Sequence, residues 1–238
     1  MQLTRSIINT SIDRALKVLE HFGIKLPPYA YWTPQQWQQA GEECDEIRTC
    51  MLGWDVTDFG SDDFFNIGRT LFTLRNGVHG HGAYGKSYAE KIILDPEGQR
   101  APAHFHQSKQ EDLINRFGGN LLVEMYQADD NGQRSDEPLN IQVDGISRII
   151  QPGELIRLEP GQSLCICPRT IHQFWGEHGT GYKVDDMQYT VSGEVSSVCD
   201  DHNDNFFLDD MCRFPNIVED EEPRYVLCHE YPKACKCV

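Results

Sequence analysis

No run of apolar residues in this 238-residue sequence approaches the length of a membrane span. The opening Met1-Gln2-Leu3-Thr4-Arg5-Ser6 lacks a basic segment followed by an apolar one, so no secretory signal is read and a cytoplasmic protein is expected. Positive charge is scarce: 21 Lys+Arg face 37 Asp+Glu, a formal charge of −16. Such a surface repels nucleic-acid phosphates and anionic lipid, so neither nucleic acid nor membrane is an expected partner. No cluster of Lys or Arg marks a site for a strongly anionic ligand, and a small neutral substrate stays open. The nine cysteines are odd in number and scattered, which argues against a disulfide framework. Cys165 and Cys167 are expected as small core residues, and Cys235 and Cys237 are given no role. No internal repeat is visible. Hydrophobic residues make up 39% and charged residues 24%, the composition of an ordinary globular chain with one sizeable core.

What is there reads as helices followed by strands. Ile8, Ile12, Leu16, Leu19 and Phe22 share one face at helical spacing, and Gly23 stops the run. Thr33-Pro34 then reads as an N-cap with proline at the first helical position, opening a helix through about Cys50 that Trp37 could anchor. From Arg69 the pattern turns to short strands: Leu71–Leu74, Tyr84–Leu94, Ala103–Gln107, Asn120–Ala128, Ile141–Val143, Leu155–Leu158, Ser163–Cys167, His172–Gly176 and Tyr189–Val198. Turn signals separate them, among them Arg75-Asn76-Gly77, Asp129-Asp130-Asn131-Gly132 and Glu159-Pro160-Gly161. The expected architecture is mainly β, an antiparallel sandwich or barrel, with a helical N-terminal extension over residues 1–67, a barrel over 68–198 and a C-terminal segment, 199–238, completing the same domain.

His104-Phe105-His106 stands in a strand, where residues i and i+2 project to one face, so both imidazoles can meet one ion. Glu111 can add a carboxylate oxygen, and His172, from a distant strand, a third imidazole. Three neutral imidazoles and a carboxylate suit a divalent first-row metal. Gly98, His104, His106, Glu111 and Gly118 match the first motif of the cupin superfamily in spacing. Gly161, Pro168 and His172 follow the second motif more loosely, with Thr170 where glycine is usual and Gly176 where asparagine is. The resemblance implies a cupin (jelly-roll) β-barrel, which encloses a cavity between its sheets. Within that superfamily, a sugar isomerase, an Fe(II) dioxygenase and a non-enzymatic sugar-binding protein remain alternatives.

A narrower resemblance spans nearly the whole chain. The runs Leu52-Gly53-Trp54-Asp55-Val56-Thr57-Asp58-Phe59-Gly60, Thr70-Leu71-Phe72-Thr73-Leu74-Arg75-Asn76-Gly77, Tyr88-Ala89-Glu90-Lys91-Ile92, Gly193-Glu194-Val195-Ser196-Ser197-Val198 and Asp204-Asn205-Phe206-Phe207 resemble the D-lyxose isomerase family. That resemblance implies a metal-dependent aldose–ketose isomerase interconverting D-lyxose with D-xylulose and D-mannose with D-fructose. It implies Mn²⁺ as the ion (Co²⁺, Fe²⁺ and Zn²⁺ being alternatives) and commonly a homodimer. The reaction moves a proton between C1 and C2 through a cis-enediol. Glu194 is the first candidate for the base, since a carboxylate in the apolar strand Thr190–Val198 should have a raised pKa. Glu111 is the second, as ligand and base together. Lys91 either stabilises charge on oxygen or is a surface lysine pairing with Glu90. His202 with Asp200, Asp201 and Asp204 reads as a solvated polar loop, and Trp175 as pocket wall or core.

Overall fold

A computed structural model describes residues 2–234; Cys235 and Cys237 lie outside the described residues. Two antiparallel sheets face each other, one of nine strands and one of five. Leu113, Ile93 and Leu164 from the larger sheet pack on Val123, Met125, Ile156 and Phe174 from the smaller to form the core between them. The alternation of each strand decides this division. In Tyr88–Pro96, Lys91, Ile93 and Asp95 point between the sheets, while Ile92 and Leu94 point outward.

The outward face of the larger sheet would be exposed without the N-terminal helix, Arg5–His21, which Thr4 caps by accepting from Ile7 N. Ile8, Ile12, Ala15, Val18 and Leu19 are its buried stripe, against Trp54, Phe72, Leu94 and Val191; Leu16 and Phe22 are only partly buried. The helix is pinned at its start. Arg5, 2% exposed, donates to Glu219 and Glu230 of the C-terminal segment.

The structure departs from the sequence reading in five places. The second helix spans only Pro34–Gln39; the chain breaks at Ala40 and Gly41, whose carbonyls accept from Arg48, and helix resumes at Asp45–Thr49. Trp37 does anchor it, its ring centroid 4.1 Å from that of Tyr231. The sheet starts at Gly53–Thr57, inside the stretch read as helical, although Leu52, Trp54 and Val56 alternate with smaller or polar residues as a strand does. Asn76 makes no tight turn: it is buried, donating to Cys50 O and Cys199 O and accepting from Cys199 N. Cys165 is half-buried and Cys167 exposed, because Leu164 and Ile166 take the inward face of their strand. One hairpin went unread. Leu139–Val143 and Ile146–Ile150 close on Asp144-Gly145, with φ of 53° and 78°, the left-handed pair that a two-residue turn demands. Among the described residues no helix is long and apolar enough to cross a membrane.

Between the sheets, Arg69 donates to Asp95, Ser192 Oγ donates to Asp95 Oδ2 at 2.6 Å, and the guanidinium lies 4.2 Å from the Phe174 ring centroid. Both charged groups are buried, Asp95 completely. Asp95→Ala would leave the guanidinium uncompensated. It is expected to cost about 3–5 kcal/mol of stability, measured by denaturant unfolding; a loss under about 1 kcal/mol would show that the pair is not structurally important.

Candidate active site

The pairing register assembles the site. In the smaller sheet His172 stands directly opposite His104. In the larger sheet the strand Met187–Ser197 lies between Tyr88–Pro96 and Glu111–Phe117, setting Glu194 opposite Lys91 and Ser196 opposite Glu111. The imidazoles thus come from one sheet and the carboxylates from the other, across a cleft lined by both.

His104, His106 and His172 offer ligand atoms that lie within 4.8 Å of one another. Each ring has its Nδ1 against a backbone carbonyl: Pro102 O at 2.9 Å, Asp204 O at 2.6 Å and Thr170 O at 3.0 Å. A carbonyl only accepts, so each Nδ1 carries the hydrogen and each Nε2 is turned to the cleft, the arrangement of metal-binding histidines. Burial holds His104 well below the ordinary imidazole range and His106 down at about 4, so both are neutral at physiological pH. Glu111 Oε1 lies 3.0 Å from His172 Nε2, and Oε2 3.8 Å from His106 Nε2. A carboxylate oxygen and an imidazole Nε2 this close can share a proton or a metal cation. The donor set, nitrogen and oxygen without sulfur, fits a divalent first-row ion.

The second half of the site is ionic. Lys109 Nζ is 2.5 Å from Glu111 Oε2 and 2.9 Å from Glu194 Oε1. Lys91 Nζ is 3.5 Å from Glu194 and 3.9 Å from Asp201. Lys91, Lys109, Glu111 and Glu194 are all 8% exposed or less. The raised pKa expected of Glu194 is corrected here. Burial does push the carboxyl up, but Lys109 and Lys91 outweigh it and hold Glu194 below its ordinary value. The strand is apolar only on its outward face; inward, Glu194 meets two ammonium groups, the Ser196 hydroxyl and the Cys199 thiol. Glu111 lies well below the usual range for the same reason, burial being overcome by Lys109 and the neighbouring imidazoles. Lys91 is no surface lysine: Glu90 pairs with Arg75 instead, and burial's downward pull on Lys91 is overcome by Asp201 and Glu194.

Sequence reasoning missed Lys109, Asp201 and Arg213. Lys109 carried a readable signal, standing two residues before Glu111 and so on the same face of an extended chain. Asp201 and Arg213 sit in irregular segments where no period marks a face, and they meet at 3.2 Å. The polar loop is exposed at His202, whose ring packs on Phe214, and at Asn203, while Asp200 and Asp201 are half-buried. Asp204 is buried. Its carboxylate accepts from the backbone N–H of Gln107, Ser108 and Lys109 and from the Ser108 hydroxyl. It therefore holds the turn between His106 and Glu111. Trp175 is core, beneath the Arg100 guanidinium at 3.8 Å.

Comparison with known proteins places the chain in a family. A family model described as D-lyxose isomerase matches residues 3–231. The D-lyxose/D-mannose isomerase of Serratia proteamaculans is 44% identical over 227 residues, covering 95% of this chain and 96% of that protein. That of Escherichia coli O157:H7 is 43% identical over 230 residues, covering 96% and 98%. The fold resembles Acinetobacter sp. DL28 L-ribose isomerase in complex with L-ribose, with a TM-score of 0.60 at 14% identity over 92% of this chain and 98% of that one. Cellulomonas parahominis L-ribose isomerase gives 0.58 at 14% identity, again over 92% and 98%. At that identity the likeness concerns the fold alone.

Asp204→Ala removes the four acceptor contacts that fix the turn carrying Lys109. It is expected to weaken metal affinity about 10–100-fold, as loss of a ligand-supporting group does, measured by chelator competition. Unchanged affinity would show that the turn holds without it.

Proposed function

The chain belongs to the D-lyxose isomerase family and is an aldose–ketose isomerase; we propose that it interconverts D-lyxose with D-xylulose, and D-mannose with D-fructose, through a cis-enediol in the cleft between its sheets. The observation that carries the mechanism is the pair of buried carboxylates, Glu111 and Glu194, on one lysine beside three lone pairs of imidazole nitrogen.

His104, His106, His172 and Glu111 would hold the ion, with manganese as the proposed species. Bound there, a divalent cation supplies Lewis-acid polarisation of the oxygens on C1 and C2. The remaining work falls to the side chains. Glu194, kept ionised by Lys109 and Lys91, accepts the proton from C2 of the aldose and returns it to C1, giving the ketose. Meanwhile the O2 proton passes to O1, and Lys91 and Lys109 stabilise the charge that develops on oxygen. A base held below its ordinary pKa is a weaker base, but it is ionised throughout the neutral range and needs no prior deprotonation. Glu111 is the second candidate for the proton transfer. Arg213 and Asp201 line the far side of the cleft, where a sugar presents only hydroxyls and both charged groups can hydrogen-bond to them. The same reading takes a homodimer as the assembly and the cytoplasm as the compartment, as the family resemblance leads one to expect.

Three outcomes test this. Chelation is expected to abolish turnover of D-lyxose and Mn²⁺ to restore it, under air and under nitrogen alike; a requirement for O₂ would point to an oxygenase, and full activity after chelation would refute the metal site. Glu194→Gln keeps the shape and is expected to keep the metal while kcat falls about 10²–10⁴-fold. Glu111→Gln is expected to lose metal first. If Glu194→Gln stays within a few-fold of wild type while Glu111→Gln is dead and metal-loaded, the base is Glu111.

A further inference from the structure

Behind the substrate cleft, on the far side of Arg213, lies a second group of ligating side chains. Asp55 comes from the strand Gly53–Thr57, Cys228 and His229 from the C-terminal segment. Their ligand atoms lie within 4.8 Å of one another. Neighbouring residues reach one point only where the backbone turns, and here it does: Glu230 N donates to Leu227 O at 2.9 Å, and Cys228 N donates to Trp54 O at 2.8 Å. The group is therefore fixed against the sheet.

Its polar atoms are poorly satisfied. Asp55 is 2% exposed, yet its Oδ1 has no hydrogen-bond partner among the described residues, and neither has the buried Nδ1 of His229. Burying such atoms unpaired is costly, so each calls for an explanation. The other oxygen of Asp55 accepts from Arg213, which also reaches Asp201. A carboxylate that accepts a hydrogen bond on one oxygen and turns the other to a cation is the common condition of a carboxylate ligand. Charge does not forbid a cation either, since Asp55 and Asp201 both face the one guanidinium.

We propose that Asp55, Cys228 and His229 form a second metal site, separate from the histidine cluster, that takes Zn²⁺ or a cation of similar softness. One thiolate, one imidazole and one carboxylate are the donor types of zinc. A cleft lined by Cys228, His229, Met51 and His202 gives an entry path and leaves room for a fourth ligand from solvent. Binding forms an S–metal bond and releases the Cys228 thiol proton to water, so occupancy falls in acid. The site's role is structural: it ties Leu227–Glu230 to the strand that carries Asp55, and through Asp55 it steadies Arg213 at the substrate cleft. It stands independently of the reaction assigned above.

The test uses the full chain with Cys235→Ser and Cys237→Ser, stripped by chelator and titrated with Co²⁺. Two equivalents are expected to bind, and only one should bring a thiolate-to-cobalt charge-transfer band, since the histidine cluster has no sulfur. Cys228→Ser is expected to lose that band and one equivalent; His104→Ala is expected to lose the other equivalent and keep the band. His229→Gln, at a half-buried position, repeats the first test if Cys228→Ser fails to fold. X-ray absorption of the zinc-loaded protein should then show a sulfur shell at about 2.3 Å. A single equivalent with no thiolate band, or a band that survives both Cys228→Ser and His229→Gln, overturns the proposal; in that case the unpaired atoms are bridged by water.

Discussion

Lys109 sets one ammonium between two carboxylates, 2.5 Å from Glu111 and 2.9 Å from Glu194, with all three side chains buried. Without it, two acids sharing a low-dielectric cleft would push each other's pKa up. With it, burial is overcome and both stay ionised. Each then has a distinct use. Glu111 faces the imidazoles and can ligate a cation; Glu194 faces Lys91 and can accept a proton. A buried ion cluster of this kind gives little net stability, because the cost of stripping water from each charge rivals the attraction gained. Its place on a cleft beside three imidazoles marks it as a candidate for chemistry.

The rest of the molecule holds that cluster in place. Strand register puts Lys91, Glu194 and Glu111 on the inward face of three adjacent strands. Lys109 precedes its strand and relies on a turn, which Asp204 secures through four hydrogen bonds. Asp204 also accepts, at its backbone carbonyl, from His106. One residue of the C-terminal segment therefore supports both a metal ligand and the central ammonium. Charge then alternates outward from the cleft, from Lys91 to Asp201, Arg213 and Asp55, so that every charged group in the series faces one of opposite sign.

The periodic parts of this arrangement were legible in the sequence. Alternation in a strand pointed to His104 and His106, and the motif spacing pointed to Glu111 and the distant His172, all four of which line one cleft. Most strand positions were readable from turn residues. What could not be read was set by groups far apart in the chain. Arg48 ends a helix by taking the carbonyls of Ala40 and Gly41, which no local propensity foretells. The burial of Asp55 depends on Arg213, 158 residues away, and no local pattern shows that pairing. Glu194 looked like an acid in an apolar strand because Lys91 and Lys109 reach it only through sheet pairing and a turn.

The central claim is that Lys109 keeps Glu194 ionised and aimed at the substrate's C2 proton. The most direct measurement is proton exchange at C2 of D-lyxose in D₂O, followed by NMR, for wild type and Lys109→Met, each loaded with Mn²⁺ at verified stoichiometry. Wild type should lose the C2 proton signal in step with net isomerisation. Lys109→Met should retain the metal while exchange slows by about 10²–10⁴-fold, the usual worth of a positioned acid–base group. Exchange at the wild-type rate in a metal-loaded Lys109→Met protein would contradict the account.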